Sequence, residues 1–197
     1  LESCRHFLKS RRESREYPIR SLSMLFYGLP GTGKTEFAKH LALELGMKII
    51  LKKASDLLSC WVGGTEKNIR EAFEEAREKE GILFIDEADS LLSSREGAVR
   101  SWEVTQVNEL LVQMENHEGI SIFSTNFEKI LDSASLRRFA FKIRFSPLKP
   151  EQAASLFSSL FDLPAPNPDT LAHAGEFTFG DFKTVHHRLL LKQLEPK

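Results

Sequence analysis

Residues 28–35 read Gly28-Leu29-Pro30-Gly31-Thr32-Gly33-Lys34-Thr35, and this stretch decides the fold of the chain. It matches the pattern G-x-x-x-x-G-K-[ST], in which backbone N–H groups cradle phosphate oxygens. In that pattern Lys34 binds the β- and γ-phosphates and the hydroxyl of Thr35 binds Mg²⁺. An apolar run, Met24–Tyr27, precedes the loop and a helical pattern follows it. This order points a helix N-terminus at the phosphates and predicts a nucleotide site. The alternative is a glycine-rich turn that binds nothing.

Two acidic residues follow the apolar run Ile82–Ile85, which is typical of a strand covered on both faces. Asp86 and Glu87 stand at the end of a predicted parallel strand, where ligands bind in open α/β sheets. We expect Asp86 to hold Mg²⁺ through its water shell and Glu87 to orient and deprotonate an attacking water. Two adjacent acids favour hydrolysis over binding alone, because one can serve the metal while the other acts as base. Solvated acids at a strand end are the alternative. Asp89 is interpreted as a helix-capping or hydrogen-bonding residue.

Strand-like and helical segments alternate along the middle of the chain. The further segments lie at residues 49–51, 65–79, 104–114, 120–123 and 141–145. Thr65 is the expected N-cap of the helix that follows it. This β–α alternation predicts a parallel sheet flanked by helices.

The predicted organisation has three parts. Residues 1–23 are polar and basic and predict an N-terminal linker or helix, and residues 24–148 predict the α/β nucleotide-binding subdomain. The prolines at 147 and 150 break the pattern. Residues 149–197 then show helical segments only and predict a helical lid subdomain. Because about 50 residues are too few to be stable alone, this lid should pack on the α/β part.

The composition is that of an ordinary globular protein, with 197 residues, 41% hydrophobic and 28% charged. The net charge of −1 provides no general attraction for nucleic acid or an anionic membrane. No apolar run approaches the roughly 20 residues of a membrane span, and Cys4 and Cys60 have no metal-ligand spacing. We therefore expect a cytoplasmic protein with reduced thiols. Because the sequence begins at Leu1, we expect it to be a piece of a longer chain.

The motifs GLPGTGKT and ILFIDEAD, at 28–35 and 82–89, resemble those of AAA family ATPases. Ser124-Thr125-Asn126 resembles the element whose asparagine helps to place the hydrolytic water. Residues 131–139, LDSASLRRF, resemble the segment that carries the arginine finger. Together with CWVGG at 60–64, the adjacent arginines are most similar to the branch containing spastin and katanin. The resemblance implies an AAA+ fold: a P-loop NTPase sheet of five parallel strands flanked by helices, with a small C-terminal helical lid.

The resemblance also implies roles for individual residues. Glu87, Asn126, Arg137 and Arg138 would be catalytic, with an arginine reaching the γ-phosphate bound by the next subunit. Which of the two arginines does so is left open, and Gly180 resembles a glycine near the nucleotide. The residues expected to bind ATP are Gly28, Leu29, Pro30, Gly31, Thr32, Gly33, Lys34, Thr35, Glu36, Asp86 and Gly180, and those expected at Mg²⁺ are Thr35 and Asp86.

Partners are implied by the triplet Trp61-Val62-Gly63, which resembles the aromatic–hydrophobic–Gly pore loop of the family. The resemblance implies a homo-oligomeric ring, a hexamer, in which Trp61 and Val62 grip a protein substrate in a central pore. Trp61 could instead belong to the core, but the following glycines favour a loop. Ser93–Arg100 is either a second pore loop or an ordinary exposed loop.

The leading hypothesis is an ATP- and Mg²⁺-dependent AAA ATPase that remodels or unfolds a protein. One alternative is a nucleotide-gated assembly or scaffold module with little hydrolysis, against which the intact acids, asparagine and arginines argue. Another is a nucleic-acid-directed motor of the wider superfamily, against which the neutral charge and the Trp-Val-Gly loop argue.

Overall fold

The computed structural model describes residues 2, 4–7, 21–92, 101–126 and 133–194. The predicted loop Ser93–Arg100, residues 127–132 and most of the predicted linker lie outside them. From residue 21 onward the elements are β1 (Leu22–Gly28), α1 (Lys34–Glu44), β2 (Ile49–Lys53), α2 (Ala54–Leu57), α3 (Gly64–Glu78), β3 (Ile82–Asp86), α4 (Asp89–Leu92), α5 (Ser101–Asn116), β4 (Ile120–Thr125), α6 (Ser133–Leu136), β5 (Phe141–Phe145), α7 (Pro150–Phe161), α8 (Pro168–Ala174) and α9 (Phe179–Leu194).

The five strands form one sheet in the order β2-β3-β4-β1-β5. β1 pairs with β4, β2 with β3 and β3 with β4, each in parallel. Parallel neighbours need crossover connections, which α1, α3 and α5 supply. This architecture confirms the predicted α/β fold. It also places the ends of β3 and β4 side by side, since Ile85 is in register with Phe123.

The central strands are buried on both faces. Ile82, Leu83, Phe84 and Ile85 of β3 are fully buried, as a continuous apolar run predicts. Helix α3 covers the sheet with an apolar stripe at helical spacing, which consists of Ile69, Ala72, Phe73 and Ala76.

The prediction that Thr65 caps α3 is wrong. The N-cap is Gly63, in a left-handed conformation with φ of 79°, and the helix begins at Gly64. Thr65 lies inside the first turn, fully buried, and its hydroxyl accepts a hydrogen bond of 2.9 Å from the Ser59 N–H. The hydroxyl therefore stabilises the loop that precedes α3 and does not cap the helix.

An ion-pair cluster links α3 to the edge strand β2. Glu75 contacts Lys52 at 2.7 Å and Lys79 at 2.5 Å. Hydrogen bonds from Lys52 and then from Lys79 lower the pKa of Glu75 to about 2. The carboxylate therefore stays charged well into the acid range.

The chain forms two compact units. The first contains the described residues before Gly28 and those from Thr35 to Arg144, and the second contains Gly28–Lys34 and the described residues from Phe145 onward. In the second unit α7 packs with α8 and α9, and the rings of Phe177 and Phe182 lie 5.7 Å apart. The phosphate-loop residues thus cluster with the C-terminal helices. The predicted subdomain boundary at 148/149 stays a prediction.

Candidate active site

The loop Gly28–Lys34 is folded around the side chain of Lys34. That side chain is buried, and its ammonium donates hydrogen bonds to the carbonyl oxygens of Gly28 at 2.8 Å and Leu29 at 3.0 Å. The Thr32 hydroxyl donates to the Leu29 carbonyl at 2.7 Å. These bonds fix the carbonyl oxygens of the loop backbone. The backbone N–H groups are then left to bind an anion, as a phosphate-binding loop requires.

Glycine is required at one position inside the motif, Gly33, and at one position that packs against it, Gly180. Gly33 has φ of 94°, and no atom lies within 4 Å of the point that a Cβ would occupy, so its backbone angle alone requires glycine. Gly180 lies against the loop, because its N–H donates to the Gly31 carbonyl at 2.8 Å. A Cβ on Gly180 would stand 2.9 Å from the Gly31 Cα. The predicted nucleotide-binding residue Gly180 therefore adjoins the phosphate loop through its backbone.

The residues predicted to bind Mg²⁺, Thr35 and Asp86, lie together at the end of β3. Thr35 Oγ1, in the first turn of α1, donates to Asp86 Oδ2 at 3.2 Å. Asp86 Oδ1 accepts from the Glu87 N–H at 3.0 Å and from the Ser124 hydroxyl at the end of β4. The two predicted metal ligands, Thr35 and Asp86, are thus brought together.

Glu87 has an unusual backbone. Its φ is 56°, a left-handed conformation that non-glycine residues adopt at a cost. Its side chain is exposed. The next acid, Asp89, begins α4 and accepts from Thr125 Oγ1 at 3.1 Å, which agrees with the hydrogen-bonding role of the two roles that the sequence left open. Glu87 is therefore an exposed carboxyl group on a strained turn between two acids that are held by hydrogen bonds.

The asparagine and the arginines lie further along the chain. Asn126 directly follows β4 and is half-buried. The arginines follow α6, where buried Phe139 packs edge-to-face on Phe123 at 5.4 Å between ring centroids. Arg137 and Arg138 are both exposed, and Arg138 Nε donates to Glu115 Oε1 at 2.6 Å. Burial of the phenylalanine thus brings both arginines to the surface.

The remaining nucleotide-site and pore predictions fall on exposed residues. Glu36 forms an ion pair with Lys39 at 3.0 Å on the surface of α1. Trp61 and Val62 form the tip of the turn before α3, with 79% and 97% of their surfaces exposed. Trp61 is therefore a loop residue, as the flanking glycines predicted, and its role in a pore stays a prediction.

The hydroxyls of Ser124 and Thr125, at the end of β4, contact two of the acids described above, and these contacts were not predicted from the sequence. Both side chains are buried, at 0% and 1% exposure; Ser124 bonds Asp86, the last residue of β3, and Thr125 bonds Asp89, the first residue of α4. The signal was present, since two consecutive hydroxyl residues, Ser124 and Thr125, end the strand. Only the neighbouring positions of β3 and β4 show which acids they contact.

A parallel sheet with a phosphate loop after its first strand and paired acids after its third defines a P-loop nucleotide-binding protein. The model of the AAA family, "ATPase family associated with various cellular activities", matches residues 24–147. The chain belongs to this family, which confirms the resemblance.

Several curated proteins are similar to this chain. An uncharacterised AAA family ATPase, y4kL, of Sinorhizobium fredii is 40% identical over 64% of this chain and 40% of its own length. Human vacuolar protein sorting-associated protein 4A is 41% identical over 66% of this chain and 31% of its own. The proteasome-associated ATPase of Geodermatophilus obscurus is 36% identical over 82% and 32%. The chain thus spans about a third of the length of such relatives.

Among solved structures, the FIGL-1 AAA domain in complex with ADP matches with a TM-score of 0.63 and 29% identity, covering 82% of this chain and 56% of that one. This match agrees with the AAA+ fold. Within the described ranges, no helix combines the length and the apolar character needed to cross a membrane.

Proposed function

We propose that this chain is an ATPase module that binds ATP with Mg²⁺ and hydrolyses it. The observation that carries the proposal is the bond of 3.2 Å between Thr35 Oγ1 and Asp86 Oδ2. Hard oxygen donors suit Mg²⁺, which takes one or two protein ligands and completes its shell with water and phosphate oxygens. The residues therefore fit this ion. Family membership and the ADP complex of the FIGL-1 domain support the nucleotide.

Each residue has a defined part in the proposed reaction. The loop amides and the Lys34 ammonium bind the phosphates, and Thr35 and Asp86 hold the metal. Glu87 takes the proton of the attacking water, and Asn126 orients that water. Mg²⁺, when bound, offsets the negative charge of the phosphates.

The active site is completed by a neighbouring subunit in this proposal. Arg137 and Arg138 lie at the surface on a segment that Phe139 anchors, where they can reach a second copy of the chain. Such an arginine is worth about 10³–10⁵ in rate in related phosphoryl transfer. Hydrolysis in a homo-oligomeric ring, a hexamer, would therefore be much faster than in the monomer.

The work of the ring is remodelling or unfolding of a protein substrate. The exposure of Trp61 and Val62 supports this part of the proposal, because large apolar side chains at a loop tip suit contact with another chain. A cytoplasmic location stays the prediction made from the sequence.

Phosphate release, measured over a range of protein concentrations, tests the ATPase. Glu87→Gln should bind ATP normally and lose turnover by about 10²–10⁴, the usual contribution of a general base. Glu80→Gln is a matched control, because Glu80 is also exposed and left-handed, with φ of 47°. Wild-type turnover by Glu87→Gln would show that the base is another residue. Bound ATP that the wild type never hydrolyses would favour the scaffold hypothesis.

A mixing experiment tests the shared site. Subunits carrying Arg137→Ala with Arg138→Ala, and subunits carrying Glu87→Gln, should each be inactive. Mixed rings should regain part of the activity, because some interfaces combine an intact base with intact arginines. Absence of any recovery in rings shown to be mixed would contradict a site shared between subunits.

A further inference from the structure

Ser124 contacts the end of β3 through both its side chain and its backbone. Its hydroxyl donates to Asp86 Oδ1, and its carbonyl accepts the Ala88 N–H at 2.8 Å. The residue is fully buried. Ser124 therefore holds the residue before Glu87 and the residue after it.

The two oxygens of the Asp86 carboxylate have different hydrogen-bond partners. Oδ1 accepts from Ser124 and from the Glu87 N–H, whereas Oδ2 accepts from Thr35 Oγ1. One oxygen is thus held by the protein, and the other lies beside the hydroxyl expected at the metal. Fixing Oδ1 sets the rotation of the carboxylate and so the direction of Oδ2.

The same contacts hold the strained backbone of Glu87. A left-handed non-glycine residue persists only where the surrounding structure constrains it. Ser124 supplies part of that constraint through its bonds on either side, to Asp86 and Ala88. Asp86 Oδ1 and Ser90 bond the N–H and the carbonyl of Glu87 itself.

We propose that Ser124 is a positioning residue of the hydrolysis site, whose hydroxyl orients Asp86 toward the metal and steadies the turn that carries Glu87. The proposal rests on the nucleotide and metal site proposed above. Partners of this kind, which orient a metal ligand without touching the metal, are worth about 10–100-fold in affinity or activity.

The test compares Ser124→Ala with Ser121→Ala. Ser121 is a matched control, because it lies on the same strand, is fully buried, and its hydroxyl has no hydrogen-bond partner among the described residues. Both variants are made in Glu87→Gln protein, so that hydrolysis does not affect the measurement. Calorimetry gives the ATP dissociation constant with Mg²⁺ and with EDTA. The constant in EDTA divided by the constant with Mg²⁺ is the ratio that reports the metal contribution.

We expect Ser124→Ala to reduce this ratio about tenfold while leaving ATP affinity in EDTA unchanged. Ser121→Ala should leave both unchanged. Equal ratios in the two variants would overturn the proposal, as would a parent protein whose ATP affinity does not respond to Mg²⁺. If Ser124→Ala fails to fold, Ser124→Cys replaces it, since a thiol of similar size is a weak donor and should also lower the ratio.

The turnover of the two serine variants with Glu87 intact is measured separately. Ser124→Ala should lose about tenfold in kcat, and Ser121→Ala should match the wild type. A wild type that never hydrolyses ATP defeats the proposed ATPase, whereas the calorimetric ratio still decides the role of Ser124.

Discussion

Replacement of Gly33 by alanine separates the backbone requirement of the phosphate loop from general stability. Gly33 has φ of 94° and open space where a side chain would stand. Gly46, after α1, is a matched control with φ of 64° and the same open space. Alanine meets no clash at either position, so only backbone strain and the loop geometry distinguish the variants from the wild type.

The cost in stability should be small and similar for both. A left-handed alanine costs about 1–2 kcal/mol, and reduced freedom of the unfolded chain returns about 0.4–1 kcal/mol of this. A net loss of about 1 kcal/mol lowers Tm by roughly 2–4 °C in a domain of this size. If alanine moves toward negative φ in the loop, its N–H turns away from the phosphates. Loss of one hydrogen bond to a charged group costs about 1.5–3 kcal/mol, which weakens ATP binding by roughly tenfold or more.

Thermal melts and nucleotide calorimetry provide the two measurements. Gly33→Ala should show both the small Tm decrease and the loss of affinity, whereas Gly46→Ala should show only the Tm decrease. Wild-type affinity in Gly33→Ala would refute the requirement for a left-handed loop backbone. An equal loss of affinity in Gly46→Ala would show that stability, not loop geometry, controls binding.

Three further outcomes are expected. Phe139→Ala should lower the free energy of unfolding by about 3–5 kcal/mol in urea titrations, whereas Phe141→Ala, whose side chain is 39% exposed, should cost much less. The pKa of Glu75 is lowered from 4.5 to about 2, so its ion pairs stabilise the fold above pH 4.5 and this stabilisation is lost as the pH falls toward 2. The free energy of unfolding of Glu75→Gln should therefore fall less than that of the wild type between pH 4.5 and pH 2, by up to about 1 kcal/mol for these partly exposed pairs. The same fall in both proteins would contradict the ion-pair contribution. Trp61→Ala should change the free energy of unfolding by less than about 0.5 kcal/mol, and a larger loss would place Trp61 in a packed core.

The main elements of the fold were predictable because they depend on local pattern. The apolar run at Ile82–Ile85 predicts a buried strand, and the helical stripe on α3 matches its buried face. The cap of α3 was not predictable, because Thr65 is recruited by the preceding loop through a contact with Ser59. The clustering of the phosphate loop with the C-terminal helices likewise depends on contacts distant in sequence.

In the candidate site, too, local motifs predicted some contacts, whereas others depend on residues distant in sequence. Motif spacing identified Thr35 and Asp86 as partners, and the structure brings their oxygens together. The bond from Ser124 to Asp86 depends on β3 and β4 lying side by side. The ion pair between Arg138 and Glu115 joins side chains 23 positions apart, which no local pattern reveals.

The left-handed backbone of Glu87 implies a conflict between thermal stability and the proposed hydrolysis of ATP. Glycine at that position would relieve strain of about 1–3 kcal/mol, from which its greater freedom in the unfolded chain subtracts about 0.4–1 kcal/mol, so selection for heat resistance alone would favour it. The same change would remove the proposed base. Directed evolution of more stable versions of this domain therefore needs a turnover assay beside the melting assay. At position 87 the melting assay would select glycine, whereas the turnover assay would select glutamate.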